Sequence, residues 1–279
     1  MPNAPKRMTH VRHGRSGSEI ALIALALVLA LVFLAVPLAV IFVEAFKAGV
    51  AVYVSKIMEP ATLHAIGLTV LTALVVVPIN IGFGIAAAWL VTRYRFPGRK
   101  LLISVIEIPF SVSPIVAGVT YLFLYGAQGL FGPALQEAGL QIMFTIWAIF
   151  LVSLFVTSPF VARELIPLMQ QQGSDDEEAA YSLGANGFQI FRLVTLPNIR
   201  WALLYGAILC NARVMGEFGG VSIVSGSVRG QTMTLPLQIE LLFNDYNALG
   251  AFAASSVLAL ISLLTLAAKA ILERRADHG

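Results

Sequence analysis

The chain has 279 residues, of which 58% are hydrophobic and 12% charged, about half the ~25% charged share of an ordinary soluble domain. That balance excludes a water-soluble globular enzyme and places the chain in the membrane class. The net charge is only +3, so the placement of charge matters more than its sum, and no nucleic-acid partner is expected.

Crossing ~30 Å of hydrocarbon takes about 20 apolar residues in a helix. Six runs qualify: Ile20–Val43, Leu63–Val91, Leu101–Tyr125, Ile142–Ala162, Trp201–Val224 and Ala248–Leu272. Backbone groups in lipid must be satisfied within the segment, so runs of this length predict helices. The expected fold is all-α, with a tail over 1–19, a six-helix domain over 20–272 and a tail over 273–279. The first run follows Lys6, Arg7, Arg12 and Arg15 as a signal peptide would. Its length exceeds the 7–15 residues of a signal h-region, which predicts a retained anchor.

Lys and Arg set the orientation. With the N-terminus inside, the inner segments carry the four tail residues just named. They also carry Arg93, Arg95, Arg99 and Lys100; Arg163, Arg192 and Arg200; and Lys269, Arg274 and Arg275. The outer segments carry only Lys47, Lys56 and Arg229, and Arg213 lies within a span. Both termini are therefore expected in the cytoplasm.

The third run contains Pro109 and Pro114, which predict a kink. Glu107 lies a little inside it, just past the Arg99-Lys100 cluster, as an inner-leaflet pairing residue rather than a ligand.

Between the fourth and fifth runs lies a polar loop, 163–200. Ser174 with Glu177 has the spacing of a capping box. Asp175, Asp176, Glu177 and Glu178 follow, and the helix dipole favours acids in a first turn. Ala179, Ala180 and Leu183 form a narrow apolar edge, and Gly184 predicts a left-handed cap. A second short helix is expected over Phe188–Val194, broken by Leu196-Pro197 at the start of the next span. Helices this short are unstable alone and must pack on something. The residues themselves leave two choices open, the protein's own inner face or a soluble partner.

In the fifth run Arg213 and Glu217 stand four apart near mid-span. A charge there costs ~2.5–3.5 kcal/mol on insertion scales, and this spacing lets the two pair. They either neutralise each other or line and gate an anion path. Ala212, Gly216 and Gly220 form a small-residue stripe suited to close helix contact. Ser222 and Ser225, with Ser111, Ser113 and Ser227, are neutral donors fit for a dianion that must leave again. Each can equally bond its own helix backbone. The outer stretch "TLPLQIELLFNDYN" is too apolar for a free loop. It suits a segment that dips toward the path, packs on the spans or meets an outside partner.

No G-x-x-x-x-G-K-[ST] run occurs, which removes P-loop nucleotide binding. There is no H-E-x-x-H motif and only one cysteine, Cys210, inside an apolar run where packing is its default role. No catalytic, metal or cofactor residue is expected on this chain. A secondary transporter or channel remains the competing class, but a proton-driven carrier would show more acids deep in its spans.

Glu178-Ala179-Ala180, three residues, Gly184, nine residues, Val194, one residue and Leu196-Pro197 resembles the EAA motif of ABC importer permeases. That family usually has Ile where this chain has Val194. "LVTRYRFPGRKLL" (Leu90–Leu102), "EIPFSVSPIVAG" (Glu107–Gly118), "TLPNIRWALLYG" (Thr195–Gly206) and "NARVMGEFGGVSIVSGSVRGQTMTLPLQIE" (Asn211–Glu240) are similar to the W-type permeases of sulfate/thiosulfate importers. The resemblance covers about 62–272. It implies a type I ABC importer permease in the bacterial inner membrane, paired with a T-type permease. It also implies two ATP-binding subunits that carry the ATP and a periplasmic sulfate- or thiosulfate-binding protein. The stretch 175–184 would be the coupling helix. A molybdate or tungstate permease, which usually pairs with itself, is the alternative.

Overall fold

The computed structural model describes residues 17–276; the basic residues of the N-terminal tail and the last three residues lie outside that range. Every regular element among the described residues is helical. In chain order these are α1 (Ala21–Phe46), α2 (Val50–Ile57), α3 (Pro60–Arg93), α4 (Arg99–Ser111), α5 (Pro114–Tyr125) and α6 (Gly132–Glu137). There follow α7 (Ile146–Gln172), α8 (Asp175–Ser182), α9 (Gly187–Met215), α10 (Gly219–Val224), α11 (Leu235–Asn244) and α12 (Ala248–Ala276). Among the described residues five helices are long and apolar enough to cross a bilayer, and a sixth span exists if α4 and α5 are counted together.

That third span departs from expectation. Instead of one kinked helix it is two helices meeting at 107°. Pro109 is tolerated inside α4. The break falls at Val112 and Ser113, both with extended ψ near 130°, because the residue before a proline is pushed out of the helical region. Glu107 is exposed, and among the described residues no ion pair holds it, so the expected pairing is not seen there.

Leu196-Pro197 departs in the opposite sense. It does not break the chain, and α9 runs unbroken through it for 29 residues. A π-turn over Phe191–Thr195 comes just before it. A second π-turn over Leu31–Ala35 precedes Val36-Pro37 in α1. In both places the wider turn accommodates a ring that has no N–H to donate. The fifth span then ends at Met215, nine residues before its expected end, and the chain restarts as the six-residue α10.

The core forms where α3, α7 and α9 cross. A Cβ on Gly84 would sit 2.5 Å from Val161 Cγ1, and one on Gly206 would sit 3.1 Å from Val161 Cα. Only glycine lets both backbones approach that closely. Beside this crossing Asn80 donates to the Thr157 hydroxyl at 2.7 Å and approaches Cys210 Sγ at 3.7 Å. The Thr157 hydroxyl in turn donates to the Ser153 carbonyl at 2.6 Å. Cys210 is fully buried there, in the packing role expected of it. A second cluster joins α5, α7 and α10 around Ile149, Val152 and Val221. By contrast α1 buries almost nothing and leans on α12, as a helix facing lipid does. The outer stretch forms α11, which lays Leu235 and Leu242 against α12.

Candidate functional site

At the end of α3 marked by Arg93 the chain builds a small platform from α8 and the start of α9. Four acids, Asp175, Asp176, Glu177 and Glu178, fill the first turn of α8. Their charges oppose the positive end of the helix dipole. The expected capping box is not formed. Ser174 Oγ donates to the Glu178 carboxylate at 2.6 Å, and no side chain caps the first amides. Glu177 is occupied elsewhere. Its carboxylate takes Arg93 Nε at 2.7 Å and Nη2 at 3.1 Å, and accepts from the Thr195 hydroxyl at 2.7 Å. Charge-assisted paired bonds outweigh a neutral backbone donor. The reciprocal box lies twelve residues on. Asn186 accepts from the Gln189 amide at 3.0 Å, and Gln189 returns to the Asn186 amide at 2.8 Å, which starts α9. The spacing N-x-x-Q carried this signal in the sequence.

Gly184 has φ +87°, and a Cβ there would meet nothing within 4 Å. It is the left-handed cap, and it leaves Leu183 89% exposed. Tyr181, Phe188 and Leu193 are also exposed. Ala179 faces solvent while Ala180 is half-buried. The structure therefore separates the predicted coupling residues. Asp175, Asp176, Glu178, Ala179, Leu183 and Gly184 are on the open face, and Glu177 is turned inward. Behind α8 lies an open cleft of about 550 Å³ lined by Trp89, Tyr94, Tyr181 and Ile190 among others. A weaker tether runs from Asn198 to Asp176 at 3.3 Å.

Arg213 and Glu217 do pair, at 2.5 Å. They do so across the break that ends α9 rather than along a continuous helix. The Glu217 side chain is 1% exposed and Arg213 33%. The other Glu217 oxygen accepts the Gly220 amide at 3.0 Å, so this carboxylate joins the end of α9 to the start of α10. Ser222 donates to the Gly219 carbonyl of its own helix. Ser225 is fully buried and accepts the Ser227 amide. Both serines are thus engaged with nearby backbone. The predicted small-residue stripe is split by the same break. Ala212 and Gly216 are exposed, whereas Gly220 is buried, and a Cβ there would lie 2.7 Å from Val152 Cγ2. Gly219 and Gly220 sit on Pro114 and Ile115. The interruptions in the third and fifth spans are therefore side by side, where irregular backbone at membrane depth is buried in protein.

Comparison with known proteins agrees with this architecture. The sulfate transport system permease protein CysW of Escherichia coli (strain K12) is 54% identical over 257 residues, which is 92% of this chain and 88% of that protein. CysW of Synechocystis sp. is 48% identical over 92% of this chain and 93% of that protein. The sulfate transport system permease protein CysT of Salmonella typhimurium is 36% identical over 77% of this chain and 78% of that protein. Among solved structures, a bacterial ABC transporter involved in the import of the acidic polysaccharide alginate matches with a TM-score of 0.72 at 14% identity. That match covers 93% of this chain and 94% of that one. The family model described as binding-protein-dependent transport system inner membrane component matches residues 80–278. With that model spanning most of the chain, the chain belongs to the family of binding-protein-dependent transport system inner membrane components.

Proposed function

We propose that this chain is the W-type permease subunit of an ATP-driven importer that carries sulfate or thiosulfate into the cytoplasm. The observation that carries this reading is the 54% identity to a sulfate permease across nine-tenths of the chain. The platform at α8 supports it. A short acidic helix that buries no side chain completely and holds Leu183 out has the form of a docking knob. Its partner would be one of two ATP-binding subunits, which hold the ATP; no cofactor is assigned to this chain. A T-type permease would complete the path, and a periplasmic sulfate- or thiosulfate-binding protein would deliver the anion. Uptake of radiolabelled sulfate into vesicles holding the full complex tests this directly. Excess thiosulfate is expected to suppress the signal at least tenfold and molybdate to leave it nearly unchanged. Suppression by molybdate alone would reassign the substrate.

In this reading the chain lies in the inner membrane with both termini and α8 in the cytoplasm. A reporter active only in the cytoplasm, fused after Arg95 or within 174–186, is expected to be active. Fused after Gly129 or Gln231 it is expected to be silent. The reverse pattern would invert the topology drawn from the charge distribution.

A further inference from the structure

We propose that Arg93 and Glu177 are positioning residues that make α8 move as one body with α3, α7 and α9. This rests on the reading of α8 as the helix that receives the ATPase. Viewed alone α8 is poorly held. It is eight residues long, buries no side chain completely, and lies between Gly173 at φ +69° and Gly184 at φ +87°. A short helix flanked by two such glycines would swivel under load from a partner.

The Arg93 guanidinium opposes that swivel. Its Nε and Nη2 grip both oxygens of Glu177, and its Nη1 donates to the Met169 carbonyl at 3.0 Å. Met169 lies in the last turn of α7, where carbonyls lack a partner within the helix. Glu177 in turn holds the Thr195 hydroxyl, which the π-turn of α9 presents. One side chain from the end of α3 therefore joins the end of α7, the first turn of α8 and the base of α9. The Arg93 and Glu177 side chains are 11% and 14% exposed, so the pair is shielded from the screening that weakens surface pairs. The fork geometry fixes direction as well as distance, which a lysine does not supply.

The test uses the complete complex in vesicles, with three readouts: ATPase retained on purification, ATP hydrolysed, and sulfate moved. Arg93→Gln and Glu177→Gln are expected to retain the ATPase subunits and to lower sulfate moved per ATP at least tenfold. Arg93→Lys is expected to fall between these and the unaltered chain, because it keeps the charge and loses the fork. A nitroxide on Leu183→Cys is expected to gain mobility when Arg93→Gln is added. Unchanged transport per ATP in Arg93→Gln with ATPase bound would overturn the proposal. Loss of the ATPase from Arg93→Gln would also overturn it, by making the pair part of docking rather than of transmission. An unaltered chain that binds no ATPase would remove the coupling reading itself, a different result from either.

Discussion

Gly184→Val is expected to abolish anion uptake while leaving the spans inserted. The cost arises in two places. At φ +87° a β-branched side chain is strained by roughly 1–2 kcal/mol in the left-handed region. That strain is enough to unwind the last turn of a helix that buries no side chain completely. The added carbons also project into space that is open in this chain, where a partner's surface would lie against the helix end. Co-purified ATPase is expected to fall at least fivefold and uptake at least tenfold, with reporter activity at 174–186 unchanged. Gly184→Ala bears the backbone strain with less bulk and is expected to retain part of both. Normal ATPase binding together with normal uptake in the valine variant would remove the docking role of α8.

The second large effect is expected at the break in the fifth span. Arg213→Ala leaves the Glu217 carboxylate without its cation although its side chain is 1% exposed. Removing one partner of a buried pair destabilises by about 3–5 kcal/mol. Little protein is expected in the membrane fraction. Adding Glu217→Gln removes the stranded charge and keeps an acceptor for the Gly220 amide, so abundance is expected to return to near the original level. Uptake is expected to return with it, because the pair joins α9 to α10 and its neighbours Ser222 and Ser225 are bonded to backbone. An abundant double variant without uptake would instead assign Arg213 to the anion path.

What the sequence made legible was largely what adjacent residues decide. The runs of apolar residues, the acids in the first turn of α8, the left-handed Gly184 and the pairing of Arg213 with Glu217 all follow from spacing within a few residues. Two of the misreadings share a cause, a competitor or accommodation that local spacing does not show. Ser174 and Glu177 have the spacing of a box, but Arg93, 84 residues earlier, binds that carboxylate more strongly. Leu196-Pro197 reads as a stop, yet a π-turn accommodates the ring, and the helix is held in place by packing on α3 and α7. The end of the fifth span was hidden because Gly216, Phe218 and Gly219 are as apolar as the helix before them. Hydropathy registers where the chain can lie in lipid and not where its backbone turns.

The unbroken course of α9 has a mechanical consequence. At 1.5 Å per residue its 29 residues form a rod of about 43 Å. Asn186 and the Glu177–Thr195 bond hold one end, and the Arg213–Glu217 break lies at the other. A tilt of about 5° at the α8 end would sweep the far end sideways by roughly 4 Å over such a length. That displacement is comparable to the width of one side chain. A small rotation at the α8 end would thereby become a displacement of several ångströms where the two interrupted spans meet.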